Sequence, residues 1–282
     1  MHKGTVQRLL AAASLIVGAF GVGVGMASSA QAVPPPWADA ATAPIHPGVM
    51  MFTDGAQCTA NFIYTNASDV FIGYAAHCAG TGAATDTNGC TATTLPLGTA
   101  VEVDGATQPG SLVYSSWIAM QAEGETDANT CAYNDFALVR LDPADHALVN
   151  PSVPHWGGPT GLNTTGNPAL SRLFTYGNSS LRQGITQLSP KTGFSLGTSG
   201  GGWTHPAYTI TPGIPGDSGS ALLDAQGKAS GVLSTLGLAP LPLSNNFGDL
   251  SRELAYAAAH GMPVDLALGT RAFNPNALPL GI

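Results

Sequence analysis

The sequence predicts an all-β fold of many short antiparallel strands with one helix near the C terminus. Three observations carry this prediction. Thirty-six glycines and 21 prolines occur among the 282 residues, and turn formers at this frequency disfavour long helices. Short apolar runs alternate with turn-forming residues along most of the chain, which is typical of antiparallel barrels or sandwiches. Only residues 249–260 are rich in good helix formers.

The first 32 residues have the order of a secretory signal peptide. Lys3 and Arg8 precede an uncharged run over residues 9–27, and Ala30-Gln31-Ala32 supplies the small residues of a cleavage site. A membrane anchor is the alternative, because the run is nearly long enough to span a bilayer. Four glycines in the run weaken it as a permanent helix. We therefore expect a secreted, extracellular protein with no membrane contact after cleavage.

A Pro- and Ala-rich leader is expected at residues 33–45, because three consecutive prolines cannot join a regular ladder or helix. The folded part then begins near His46. The candidate strands share an apolar run bounded by turn residues. They are residues 48–52, 60–64, 70–75, 99–103, 112–120, 136–141, 170–176, 184–188, 221–223 and 229–236.

The Pro-rich segment 151–168 interrupts this strand rhythm. It is the candidate crossing between two β units at residues 46–150 and 169–247, and a long surface loop is an equal alternative on composition alone. Residues 248–282 are expected to form a helix and a tail. Polar capping candidates precede residues 251–259, and Gly261 follows them.

Composition excludes several classes of protein. Hydrophobic residues make up 44% of the chain and charged residues 9%, which excludes general disorder. The formal charge is −8, and no Lys/Arg cluster lies beyond the first few positions, so we expect no nucleic-acid partner. Metal-binding motifs such as His-Glu-x-x-His or a calcium loop do not occur. We expect no metal, no other cofactor, and a monomer.

Three segments could carry chemistry together. Gly216-Asp217-Ser218-Gly219 places a serine in a glycine-rich turn, but a serine hydroxyl needs a neighbouring base to act as a nucleophile. His77 ends an apolar run and is followed by Cys78, which could hold its backbone. Asp135 leads into another apolar run, where a carboxylate could be sheltered and still reach an imidazole. A solvated aspartate at a strand end is the alternative for Asp135.

These segments, Ala76-His77-Cys78, Asn134-Asp135-Phe136-Ala137-Leu138 and Gly216-Asp217-Ser218-Gly219, resemble the signature segments of chymotrypsin-like serine peptidases, particularly the secreted bacterial branch. The chain order His, Asp, Ser separates this family from α/β-hydrolases and subtilisins. The resemblance covers about residues 46–260 and implies two packed, antiparallel, six-stranded-type β-barrels with a C-terminal helix.

The resemblance also implies a role for each matching residue. Ser218 would be the nucleophile, His77 the general base and then acid, and Asp135 the group that orients and stabilises the imidazole. The N–H groups of Gly216 and Ser218 would form the oxyanion hole.

The four cysteines lie beyond the predicted signal and allow three pairings, which spacing alone does not distinguish. The resemblance implies a disulfide from Cys58 to Cys78, which leaves Cys90 with Cys131.

The chain departs from the family pattern around the specificity pocket. Ile214 stands where a cysteine is common, and Pro212 stands where trypsin-type enzymes carry a charged pocket base, so a Lys or Arg preference is not expected. The segment Ser234-Thr235-Leu236 resembles the one that pairs with substrate backbone. Leu236 replaces a common glycine, and a narrower pocket for small or medium apolar residues is therefore predicted.

The activation mechanism is a further departure. Animal relatives pair a new N-terminal residue with the acid before the nucleophile, here Asp217, but no matching N-terminal sequence is present. Bacterial relatives use an internal cation instead, and Arg172 is the predicted one.

Together these features predict a secreted serine endopeptidase that hydrolyses polypeptide substrates through an acyl-enzyme. A catalytically silent, peptidase-like binding module and an esterase-like hydrolase are the alternatives. A structural surface protein with accidental motifs is a third.

Overall fold

A computed structural model describes Met1 and residues 36–83, 85–237 and 243–278. The chain divides into a short unit, Met1–Ala30, and a compact unit, Gln31–Ile282. The predicted signal peptide lies almost wholly outside the described residues. Within the described residues, no helix is both long enough and apolar enough to cross a membrane.

Fourteen strands and three α-helices make up the regular structure of the described residues. The strands are β1 (Met50–Thr53), β2 (Ala56–Thr59), β3 (Ile63–Thr65), β4 (Val70–Tyr74), β5 (Ala100–Val103), β6 (Gly110–Ser115), β7 (Ala137–Arg140), β8 (Arg172–Tyr176), β9 (Pro190–Ser195), β10 (Thr204–Ile210), β11 (Ala221–Leu223), β12 (Ala229–Gly237), β13 (Ser244–Asp249) and β14 (Asp265–Leu266). The helices are α1 (Ser116–Glu123), α2 (Ala128–Tyr133) and α3 (Leu250–Ala259).

The strands form two antiparallel sheets, as the predicted fold class requires. The second sheet is a closed six-stranded barrel with the order β10-β13-β12-β11-β8-β9. The first is an eight-stranded sheet with the order β14-β3-β4-β7-β6-β5-β1-β2. In this sheet β2 and β3 are not hydrogen-bonded to each other. The three residues 60–62 connect them instead.

Part of the predicted leader belongs to the folded unit. The Ala38 N–H donates to the Val149 carbonyl at 2.9 Å, and the Asn150 side chain donates to the Ala38 carbonyl at 2.6 Å. Ile45 is fully buried. The segment 38–45 is therefore part of the folded unit, although the sequence predicted that folding begins near residue 46.

Three predicted strands are wrong in part or in full. The run 60–64 is a strand only from Ile63, because residues 60–62 form the connection between β2 and β3. The run 112–120 is a strand only to Ser115, where the chain turns into α1 and buries Trp117 and Met120. The run 184–188 forms a short 3₁₀ turn, Thr186–Leu188, because Gln183 and Gly184 both adopt left-handed backbone angles that end an extended chain. The predicted C-terminal helix is confirmed as α3.

The chain passes from the first sheet to the second between β7 and β8. Residues 151–171 lie on this path and contain no strand or helix. The strand β14 returns the chain after α3 to the first sheet, where it pairs with β3.

Candidate active site

His77 lies in a short 3₁₀ turn, Ala76–Ala79, directly after β4. Cys78 in this turn forms a disulfide with Cys58 of β2, the pairing that the resemblance implied. The His77 main-chain N–H donates to Asp135 Oδ1 at 2.8 Å, and its ring Nδ1 lies 2.6 Å from Asp135 Oδ2. Two contacts to one carboxylate therefore fix the position and the orientation of the imidazole.

Asp135 lies two residues before β7 and is 4% exposed. Ser234 Oγ also donates to Asp135 Oδ2, at 2.6 Å. Burial by itself would raise the pKa of this carboxyl, but the His77 charge and the hydrogen bonds from His77 and Ser234 outweigh it, and the pKa lies below its usual 3.8. The carboxylate is therefore ionised at neutral pH and faces the imidazole.

The contact between Asp135 and His77 also shifts the pKa of the imidazole. Burial disfavours the charged form of His77, but the charge and the hydrogen bond of Asp135 outweigh it and raise the pKa of His77 above 6.5. The His77 side chain is 27% exposed. Its outer edge can therefore be reached by a molecule in solution while its inner edge is held by Asp135.

Ser218 lies in the turn before β11 and is half-buried. Its carbonyl accepts the Thr59 N–H at 2.8 Å. At Gly219, φ is +87°, and a Cβ atom would lie 2.5 Å from the Thr59 oxygen and 2.9 Å from the Ala75 nitrogen, so this turn requires glycine. The Ser218 turn thus packs against β2 and against the backbone two residues before His77.

The structure brings Ser218 into this neighbourhood without a direct hydrogen bond to the imidazole. Among the described residues, neither the Ser218 hydroxyl nor His77 Nε2 has a hydrogen-bond partner.

Gly216 forms the other side of the Ser218 turn. Its φ of +95° is left-handed, and its carbonyl accepts hydrogen bonds from Thr59 Oγ1 at 2.7 Å and Gln57 Nε2 at 3.0 Å. Within the described part of the chain, the N–H groups of Gly216 and Ser218 have no partner. The Ser218 turn therefore contains two N–H groups without a partner among the described residues.

Asp217, between them, is fully buried and surrounded by donors. Arg182 donates from both terminal nitrogens, at 2.5 and 2.7 Å, and Lys191 Nζ lies 3.3 Å away. Burial lowers the pKa of Lys191 to about 8, and Arg182 lowers it too, while Asp217 opposes both. The predicted cation, Arg172, is wrong: it is exposed on β8 and lies over the Phe174 ring at 4.8 Å.

The four predicted pocket residues differ in their surroundings. Ser234 is bound to Asp135, the Thr235 hydroxyl accepts from the Asn246 amide at 3.1 Å, and Leu236 is 47% exposed. Pro212 instead lines an open surface cavity of about 370 Å³. The other residues that line this cavity are Leu181, Arg182, Gln183, Ile185, Leu188, Thr211 and Ile214.

Gly213 is closely packed against the second barrel. Its N–H donates to Asn245 Oδ1 at 2.7 Å. A Cβ atom at Gly213 would lie 2.9 Å from Asn245 Nδ2 and 3.0 Å from Leu233 Cδ2. Asn245 and Leu233 therefore pack closely against Gly213.

Glu253 of α3 places a second carboxyl behind Asp135. It is fully buried, its Oε1 accepts the Asp135 N–H at 3.3 Å, and its Oε2 has no partner among the described residues. A Cβ atom at Gly248 would lie 2.2 Å from Oε1, so glycine leaves room for this carboxyl. Burial, followed by the charge of Asp135, raises the pKa of Glu253 well above 4.5.

One group of potential metal ligands occurs in the described part of the chain, formed by Cys58, Cys78 and His77. Both sulfur atoms are joined in the disulfide, so they are not available as thiolate ligands. The second disulfide joins Cys90 to Cys131 of α2.

The contacts of Ser234, Arg182, Lys191 and Glu253 could not be assigned from the sequence. Ser234 is 99 residues from Asp135, and no motif marks the two cations or the buried acid. The sequence contains only nine Lys and Arg residues. The small number of possible cations was therefore the one sequence signal that could have pointed to Arg182 as the partner of Asp217.

Comparison with known proteins gives a result for structure alone. No family model matches the sequence, and no curated protein matches it significantly. Thermobifida fusca Protease A superposes with a TM-score of 0.51 at 17% identity, covering 80% of this chain and 99% of that one. A Glu endopeptidase solved with MPD gives 0.51 at 18% identity, covering 79% of this chain and 94% of that one. The chain therefore has the fold of the chymotrypsin-like serine proteases.

Proposed function

We propose that this protein is a secreted serine endopeptidase with Ser218 as the nucleophile, His77 as the general base and Asp135 as the carboxylate that orients it. One observation carries the proposal. The hydrogen-bonded series of His77, Asp135 and Ser234 lies beside a Ser218 turn that offers two unpaired N–H groups. In this proposal, His77 is the base, Asp135 the orienting group and the two N–H groups the anion donors for the Ser218 hydroxyl.

In the first half-reaction, the Ser218 oxygen attacks the carbonyl carbon of a peptide bond while His77 Nε2 takes the hydroxyl proton. The negative charge that forms on the carbonyl oxygen is stabilised by the N–H groups of Gly216 and Ser218. The imidazolium is stabilised by the ionised Asp135. When the C–N bond breaks, His77 gives its proton to the leaving amine and Ser218 keeps the acyl group.

In the second half-reaction, water replaces the amine. His77, again neutral, takes a proton from this water as the oxygen attacks the acyl carbon, and the same two N–H groups hold the oxyanion. Collapse of this intermediate breaks the ester bond, and the proton on His77 returns to Ser218. The products are a free carboxylic acid and the original enzyme.

The substrate side chain next to the scissile bond is proposed to be small and apolar. Asn245 and Leu233 fill the space beside Gly213, and Pro212 and Ser234 bring no charge that would attract Lys or Arg. The exposed Leu236 offers apolar contact at the rim.

Secretion is proposed from the signal-like residues 1–32 and from the two disulfides. Disulfides of this kind persist in oxidising, extracellular conditions.

The test is covalent labelling followed by peptide sequencing. The wild-type protein should react with a fluorescent peptidyl phosphonate, and mass spectrometry should place the label on Ser218. Ser218→Ala and His77→Ala should not react, whereas Ser180→Ala, an exposed serine, should react like the wild type. Incubation with a peptide library should then give cuts after small apolar residues.

Each alternative has its own outcome in this experiment. Labelling at Ser218 with hydrolysis of esters but not peptides would indicate an esterase. No labelling of a folded wild-type protein would remove the enzyme proposal and leave a binding module.

A further inference from the structure

The direction of the peptide bond between Pro215 and Gly216 decides whether an oxyanion hole exists. A trans peptide unit points its C=O and N–H in opposite directions. The Gly216 N–H can therefore face a substrate only while the Pro215 carbonyl points away from it. If this unit rotates, an acceptor oxygen replaces a donor at the place where negative charge develops.

The Ser179 hydroxyl contacts this peptide unit directly. Ser179 is 2% exposed, and its Oγ donates to the Pro215 carbonyl at 2.6 Å. The same oxygen accepts the Leu181 N–H at 3.2 Å, so the hydroxyl hydrogen is left for Pro215. The Ser179 N–H donates to Asp217 Oδ1 at 3.1 Å. One residue therefore binds the turn through both its side chain and its backbone.

The surroundings of Gly216 fit this arrangement. A Cβ atom at Gly216 would lie 2.9 Å from Ser179 Oγ and 2.3 Å from Gln57 Oε1, so both side chains pack directly on the glycine. Gln57 and Thr59 hold the next carbonyl along the chain, that of Gly216. The Pro215 carbonyl is thus held by Ser179, which lies between β8 and β9, and the Gly216 carbonyl is held by two residues of β2. Within the described residues, the Gly216 N–H between these carbonyls has no partner.

We propose that Ser179 is a positioning residue for the oxyanion hole, whose hydroxyl holds the Pro215 carbonyl so that the Gly216 N–H faces the reacting carbonyl group. This role rests on the proposed peptidase function. It is separate from the Arg182 and Lys191 contacts, because those cations hold the Asp217 side chain and make no contact with the Pro215 carbonyl.

The test compares Ser179→Ala with Ser179→Thr and with the adjacent, exposed Ser180→Ala. Ser179→Ala should lower kcat by about 10- to 100-fold, less than the loss of a whole oxyanion donor, with little change in KM. The affinity for a peptidyl trifluoromethyl ketone, whose adduct with Ser218 places an oxyanion in the hole, should fall by the same factor. Ser179→Thr keeps a hydroxyl and should restore both values, and Ser180→Ala should change neither.

Two results would overturn this role: a loss in Ser179→Ala no larger than in Ser180→Ala, or a loss of kcat with unchanged affinity for the ketone. If Ser179→Ala does not fold, Ser179→Cys keeps the side-chain size with a weak donor and gives the same comparison. A crystal structure of the variant shows the direction of the Pro215–Gly216 peptide even if the wild type hydrolyses nothing. If the Pro215–Gly216 peptide unit of the variant keeps the wild-type orientation, the inference is rejected, whether or not the protein is a peptidase.

Discussion

His77 gives the most direct prediction at the scale of single residues, because only its neutral form can accept the Ser218 proton. Asp135 raises the pKa of His77 above 6.5. We therefore expect kcat/KM to fall as the pH is lowered, with its half-maximal point above pH 6.5. Steady-state rates from acid to alkaline pH measure this point.

The Asp135→Asn variant provides the matched control for this profile. Without the carboxylate charge, burial dominates and the pKa of His77 should decrease, so the acidic limb should move to lower pH. The value of kcat should fall by about 10⁴-fold, because an amide does not hold the imidazole in the required tautomer. An acidic limb that stays in place would remove Asp135 as the partner of His77.

Glu253 should affect the pH dependence of the free energy of unfolding rather than the reaction rate. Its pKa is raised in the folded protein, so the folded state holds a proton that the unfolded chain has released above about pH 4.5. The free energy of unfolding should therefore decrease with rising pH between the unfolded and folded pKa values, by about 1.4 kcal/mol per pH unit from this group. Urea unfolding at several pH values measures the slope.

Glu253→Gln keeps the shape of the side chain and cannot ionise, so this component of the slope should vanish. Glu102→Gln, at an exposed position of β5, is the control and should leave the slope unchanged. An identical pH slope in the Glu253 variant and the wild type would show that this carboxyl is ionised when buried.

At the scale of elements, the two disulfides brace different structures. Cys58–Cys78 closes 20 residues and holds the turn that carries His77, whereas Cys90–Cys131 closes 41 residues and anchors α2. Replacing either pair by serine should lower the free energy of unfolding by about 3 kcal/mol or more, with the longer loop costing slightly more. Only the Cys58/Cys78 double variant should also lower kcat strongly.

Denaturant unfolding and steady-state kinetics on the two double variants make this comparison. Equal losses of kcat in both would show that the disulfide beside His77 acts on stability alone.

The elements show what periodicity can and cannot predict. The runs that became β4, β7, β11 and β12 are apolar and bounded by turn residues, so the sequence located them. Strands β9, β10 and β13 contain Pro190, Pro206 and Asn245, and their identity depends on closure of the barrel by partners elsewhere in the chain. The run 112–120 is apolar throughout, so it did not distinguish the end of β6 from the buried face of α1.

The candidate site shows the same contrast between features visible in a short segment and features that depend on distant residues. The motifs around His77, Asp135 and Ser218 were visible because each is a short continuous segment of the sequence. The contacts made by Ser179, Ser234 and Glu253 join residues 36 or more positions apart, and only the folded backbone brings them together.

At the scale of the whole molecule, two cations from the described part of the chain, Arg182 and Lys191, balance the charge of Asp217. Arg182→Ala would leave a buried carboxylate with Lys191 as its remaining cation, and we expect a loss of about 3 kcal/mol in the free energy of unfolding together with a large loss of kcat. Arg172→Ala should change both by little, because its side chain is exposed. Thermal unfolding and kinetics on the two variants measure this difference.

If Arg172→Ala had the larger effect, the assignment of Arg182 would be reversed. A second check is an N-terminal extension of the mature protein, which should leave kcat unchanged if no free N-terminal amine is needed.

Three consecutive residues of β2 reach three parts of the site: Gln57 holds the Gly216 carbonyl, Cys58 is bonded beside His77, and Thr59 binds the Ser218 carbonyl. The halves of the molecule therefore cannot be exchanged freely between proteins of this fold. A chimera that joins this first sheet to a foreign second barrel should refold yet stay inert, unless the donor's turn also matches the tripeptide 57–59.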